Sequence, residues 1–148
     1  MRLEPLYRVR LTYDEEAAVA QLEGGLEHYF FVAEGRCEGG ITGRMRGANH
    51  PQRRPDGTFC PDFQGVIETD DGATIFFDWH GYGRSHPAGR RQIVAAATHL
   101  ADDDRYRRLN DVVCAIEGEV RARPGGSAVD LVIDVYEIIE EFDLVHVS

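Results

Sequence analysis

Between Phe63 and Tyr82 the chain reads FQGVIETDDGATIFFDWHGY, two β-rich runs on either side of Asp70-Asp71-Gly72. Asp-Gly between such runs is a strong hairpin signal, because glycine accepts the positive φ that a tight primed turn requires. The second arm places Ala73, Ile75, Phe77 and Trp79 on one face and Thr74, Phe76, Asp78, His80 and Tyr82 on the other. One face is wholly apolar, and the other mixes aromatic with ionisable groups in the way a ligand-binding wall does.

The rest of the chain repeats this β-rich pattern. Glu4 to Thr12 alternates as a half-buried strand, Glu27 to Ala33 is β-rich and closes at Glu34-Gly35, and Gly43 to Gly47 sets Arg44 and Arg46 opposite Met45. Asp14 to Leu22 opens on an Asp cap followed by good helix formers, which suits a short helix or an ordered loop. Ala48 to Gly57 carries two prolines and a Pro-Asp-Gly turn, and reads as a surface loop over a pocket mouth. Gly81 to Arg91 reads as a glycine-rich turn, Gln92 to Leu100 as a strand, and Asp102 to Leu109 as one short helical turn. Asp111 to Arg121 and Ala128 to Glu140 are strands, the second the longest. No internal repeat or linker divides the sequence. A single all-β domain over 1–148 is expected: an antiparallel β-barrel of about eight strands with one or two short helical turns. A barrel also removes exposed strand edges.

Composition narrows the chemistry. All 16 basic residues are arginine, so Schiff-base chemistry, lysine-bound pyridoxal phosphate and a P-loop are excluded. The net charge of −10 argues against nucleic acid as a partner. No apolar run approaches the roughly 20 residues of a membrane helix, and the N-terminus lacks a signal core, so a cytoplasmic location is expected. Cys37, Cys60 and Cys114 are odd in number and show no CxxC, which favours free thiols over disulfides or a zinc knuckle.

Four motifs then carry a resemblance: the Gly43-Arg44 step, the Glu68 to Ala73 hairpin, Asp104-Arg105-Tyr106 with Leu109-Asn110, and the closing Val132 to Glu137 strand. On these the chain resembles the domain of unknown function 3237 family across nearly its whole length. The resemblance implies a small β-barrel and supplies no catalytic residue. The arm FFDWHGYGRSH is more aromatic and less basic than that family's pattern.

Asp78, His80 and Tyr82 are the candidate catalytic set, since residues two apart on a strand share a face. Asp78 would orient His80, and Tyr82 or Arg84 would stabilise an enolate or oxyanion. Arg44 is a candidate carboxylate ligand, with His50 acting from its loop and Trp79 and Arg84 on the pocket arm. A metal reading through Asp78, His80 and His86, with His50 or His99, has no HxH or HExxH spacing behind it, and no metal or organic cofactor is expected. Ser85 lacks the context of a nucleophile elbow. Two functions fit: an acid/base enzyme of isomerase, cyclase or lyase type acting on a small carbonyl or cyclic metabolite, or a barrel that binds a small apolar or anionic ligand unchanged. The closing strand is apolar on both faces, with Leu131, Ile133, Val135 and Ile139 opposite Val132, Tyr136 and Ile138, so a homodimer that covers its outer face is expected.

Overall fold

The hairpin forms, with Asp62–Thr69 paired to Thr74–His86 and Gly72 at φ 91°. Its turn is one residue longer than a primed turn: the Gly72 N–H donates to the Thr69 carbonyl, and Asp70, Asp71 and Gly72 bridge the Thr69–Ala73 pair. The structure, a computed structural model, describes residues 1–14, 18–86, 90–122 and 128–142.

Its strands in chain order are β1 (Arg2–Asp14), β2 (Ala18–Gln21), β3 (Glu27–Gly39), β4 (Gly43–Asn49), β5 (Gln52–Arg53), β6 (Phe59–Cys60), β7 (Asp62–Thr69), β8 (Thr74–His86), β9 (Arg90–Leu100), β10 (Cys114–Ala122) and β11 (Ala128–Ile139). Eight of them close into an antiparallel barrel in the order β1, β3, β4, β7, β8, β9, β10, β11 and back to β1. Strand β2 pairs with β3, while the short β5–β6 hairpin bridges β3 to β8. Among the described residues the one helical element is a 3-10 turn at Arg107–Asp111, and no helix is long and apolar enough to cross a membrane.

Several local expectations are corrected. The helix former run after Asp14 becomes β2 at Ala18–Gln21, because pairing with β3 outweighs its weak helix preference; residues 15–17 lie outside the described set. Gly35 does not end a strand, and β3 runs through it to Gly39. A Cβ at Gly35 would lie 1.9 Å from the Arg10 carbonyl oxygen, so glycine is there to let β1 approach. Gly81 and Gly83 likewise continue β8 rather than turn it. Strand β11 has 12 residues, one fewer than β1, β3 and β8.

The alternation read in the second hairpin arm sets Ala73, Ile75, Phe77 and Trp79 inside the barrel, with Met45, Ile67, Ile116, Ile133 and Val135 facing them. The 3-10 turn drops Leu109 into one end as a plug. Asn110 fixes that plug by accepting from the Ala101 N–H at 2.8 Å and donating to its carbonyl at 2.9 Å. Arg105 donates to the Asp71 carbonyl at 2.9 Å, and the Tyr106 hydroxyl donates to the Asp71 carboxylate at 2.7 Å. Gly43 also pairs with Thr69 at this end, and Arg108 of the 3-10 turn donates to Glu137 at 2.5 Å, so each of the four motifs has a residue there.

Candidate functional site

At the opposite end the β5–β6 hairpin stands beside β8 and makes a groove of about 500 Å³ on the outer surface. His28 from β3, His50 after β4, Arg54 from the hairpin turn, Asp62 from β7, and His80 and Tyr82 from β8 line it. The hairpin register sets Asp62 across from His80 and Gln64 across from Asp78. Four side chains thereby form one cluster on two rigid strands.

His80 Nε2 lies 2.8 Å from Asp78 Oδ1, and its Nδ1 lies 3.5 Å from Asp62 Oδ1. The Gln64 amide donates to Asp78 Oδ1 at 3.0 Å and also to Asp62, tying the two carboxylates together. The Asp62 backbone is held in turn, its N–H donating to Asn49 Oδ1 at 3.0 Å and its carbonyl accepting from the His50 N–H at 2.9 Å. The His50 ring packs on Phe30 with centroids 5.2 Å apart. His80 itself is 60% exposed. The ring is thus held between two carboxylates at the edge of the groove.

The structure brings His80, Tyr82 and His50 to this groove, sets Asp78 against His80, and separates the other candidates from it. Trp79 points into the core, 5% exposed, against Phe63 and Phe77 at 5.4 and 5.3 Å between ring centroids. Arg44 lies on the outer face of β4, bound to Glu34 at 2.7 Å. Arg84 is exposed further along β8, opposite Gln92. His99, considered as a metal ligand, is inside the barrel, so it cannot join His80; the side chain of His86 lies outside the described residues. Among the described residues the group spaced for a metal ion is instead Asp62, Asp78 and His80.

The interior holds a second polar cluster. Tyr7 Oη lies 2.8 Å from His99 Nε2, and Cys114 Sγ lies 3.9 Å from His99 Nδ1. Burial holds His99 down at about 4, with Glu137 opposing, and pushes Cys37 up to about 12 and Cys114 up to about 11. Neutral imidazole and inert thiols follow at pH 7. All three cysteines are free.

Asp62 and Gln64 were open to sequence reasoning, since a hairpin centred on Asp71 pairs 62 with 80 and 64 with 78. His28 and Arg54 carry no such local signal, because they reach the groove through the packing of β5–β6 between β3 and β8.

Fold and groove together define a closed antiparallel barrel with an ionisable outer cleft. The chain belongs to the family described as proteins of unknown function DUF3237, whose profile matches residues 1–138. No functionally curated protein matches it. A solved protein of unknown function from Clostridium acetobutylicum is similar at TM-score 0.79 and 18% identity, over 94% of this chain and 100% of that one. A β-barrel-like protein from Acinetobacter baumannii gives TM-score 0.69 and 24% identity over 92% and 94% of the two chains. A structure described as an enzyme from Penicillium herquei gives TM-score 0.69 and 20% identity over 93% and 94%. These likenesses establish the fold.

Proposed function

We propose that this protein binds a small molecule in the outer groove and performs acid/base chemistry on it without an organic cofactor, as an isomerase, cyclase or lyase of a small carbonyl or cyclic metabolite. The observation that carries this reading is His80, held by Asp78 at 2.8 Å and flanked by Asp62 at 3.5 Å, open to a groove shared with Tyr82. His80 Nδ1 takes a proton from carbon or oxygen, and the Tyr82 hydroxyl donates to the oxyanion that develops. Residues two apart on one strand face stand about 7 Å apart, which leaves room for a small substrate between them. That a barrel of the same fold is described as an enzyme is consistent with this reading.

The test works with an unidentified substrate. A panel of small ketones, keto acids and cyclic enones is incubated with the protein in D2O, and deuterium uptake at carbon is followed by mass spectrometry. At least one compound is expected to exchange, and His80→Ala is expected to slow that exchange by roughly 10²- to 10⁴-fold while keeping the fold. Undiminished exchange in the variant removes His80 from the mechanism. Binding without exchange across the panel establishes the alternative, a barrel that holds its ligand unchanged.

We also propose a homodimer through the outer face of β11. The eight barrel strands are paired on both sides, so association through β11 uses its outer face. Val132, Tyr136 and Ile138 are half-exposed there, and Val94 on the same side of the barrel is 68% exposed. Light scattering at micromolar concentration is expected to give twice 16.6 kDa; a stable mass of 16.6 kDa ends this proposal.

A further inference from the structure

We infer that the groove selects a small molecule bearing a carboxylate, and that Arg54 is the group that seats it. The inference rests on the reading of this groove as a small-molecule site. Several arginines elsewhere on this acidic surface are taken by carboxylates: Arg8 by Asp134 at 2.6 Å, Arg44 by Glu34 at 2.7 Å, Arg46 by Glu68 at 2.8 Å, and Arg36 by Asp70. Arg54 differs. Among the described residues no carboxylate oxygen lies within ion-pair distance of it, and its guanidinium lies over the Tyr82 ring, 5.2 Å from the centroid. The nearby Asp56 is turned to its own loop, accepting from the Thr58 N–H at 2.9 Å.

The backbone that presents Arg54 is held in a tight turn. Its backbone N–H donates to the Thr58 carbonyl at 2.8 Å, and its backbone carbonyl accepts from the Gly57 N–H at 2.9 Å, where Gly57 has φ 88°. The Tyr82 ring, 5.2 Å from the guanidinium carbon, gives the exposed Arg54 side chain a partner at the groove wall while leaving it free of any carboxylate among the described residues. His28, His50 and Gln52, all able to donate, line the same groove, and Asp62 sits beside His80. The groove thus carries a guanidinium beside Tyr82 and a carboxylate-flanked imidazole one strand repeat away. A carboxylate belongs at the Arg54 end, bound bidentately as planar guanidinium favours, and the reacting carbon lies one strand repeat away beside His80. A ligand of that length is the size of an aromatic acid or a short keto acid. With a net charge of −10 the whole protein repels anions, so recognition depends on this guanidinium within the groove.

Benzoate and pyruvate are the probes, with benzamide as the neutral counterpart of benzoate, titrated into the full chain and its variants by calorimetry and by amide NMR shifts. At least one of the two carboxylates is expected to bind and to shift Asp62, Gly81 and Tyr82. Arg54→Ala and Arg54→Gln are each expected to weaken it at least tenfold with unchanged circular dichroism, and benzamide to bind at least tenfold more weakly than benzoate. Failure of both acids to bind, equal affinity in the Arg54 variants, or benzamide matching benzoate overturns the inference. Because these readouts do not involve turnover, their failure is separate from loss of His80-dependent exchange, which tests the acid/base reading.

Discussion

Trp79→Ala is expected to cost about 3–5 kcal/mol of stability, whereas Trp79→Phe is expected to cost less than about 1.5 kcal/mol. The difference follows from what the ring does. It packs against Phe63 and Phe77 in the middle of the barrel, so truncation leaves a large cavity that these rigid strands cannot collapse into. Phenylalanine keeps most of that packing and gives up only the approach of the indole N–H to the Tyr7 hydroxyl. Urea unfolding of the three proteins measures both values. A small loss in Trp79→Ala, accompanied by lost ligand binding, would move Trp79 from the core to the site.

Acidification from pH 7 to pH 4 is expected to remove about 3 kcal/mol through His99 alone. His99 is 3% exposed and faces Tyr7, Cys114 and Glu137. Burial lowers its folded-state value from 6.5 to about 4, with Glu137 acting in the opposite direction. The unfolded chain therefore binds the extra proton first, so this stabilisation is complete above about pH 6.5 and is lost as pH falls toward 4. Carboxylates held down in the fold act in a lower window. Asp103, kept at about 2 by hydrogen bonds from Arg105, loses its contribution between 3.8 and that value. Chemical denaturation at pH 7, 5.5 and 4 is expected to show the loss in the natural protein and to show it flattened in His99→Gln, which keeps hydrogen-bonding capacity without titrating. Identical slopes for both would take His99 out of the acid response.

How far the sequence could be read depended on whether a residue's position is decided locally. Alternation along Ala73 to Tyr82 told which residues share a face, because the side-chain period of a strand is two and nothing distant can change it. It did not tell which face was inside. Burying Ile75, Phe77 and Trp79 places Asp78, His80 and Tyr82 outside, so the ionisable wall belongs to an outer groove rather than to the barrel cavity. The closed barrel itself followed from many short β-rich runs, yet the glycines misled. Gly35, Gly81 and Gly83 resemble turn residues, whereas they sit inside strands, and at Gly35 and Gly81 a neighbouring backbone comes too close for a Cβ. Asp62 was recoverable from the hairpin register, and Arg54 was not. Arg54 reaches the groove only because Phe59 pairs with Gly83, a contact made by tertiary packing with no pattern in the chain to announce it.

Whether the functional surface is the outer groove, as proposed, or the barrel interior is tested most directly by soaking crystals of the protein with small carboxylates and ketones and locating the bound molecule by difference density. Density is expected between Arg54 and His80, over Tyr82 and within reach of His28 and His50. Density inside the barrel against Tyr7, Trp79 and His99, with the groove empty, would contradict the proposal.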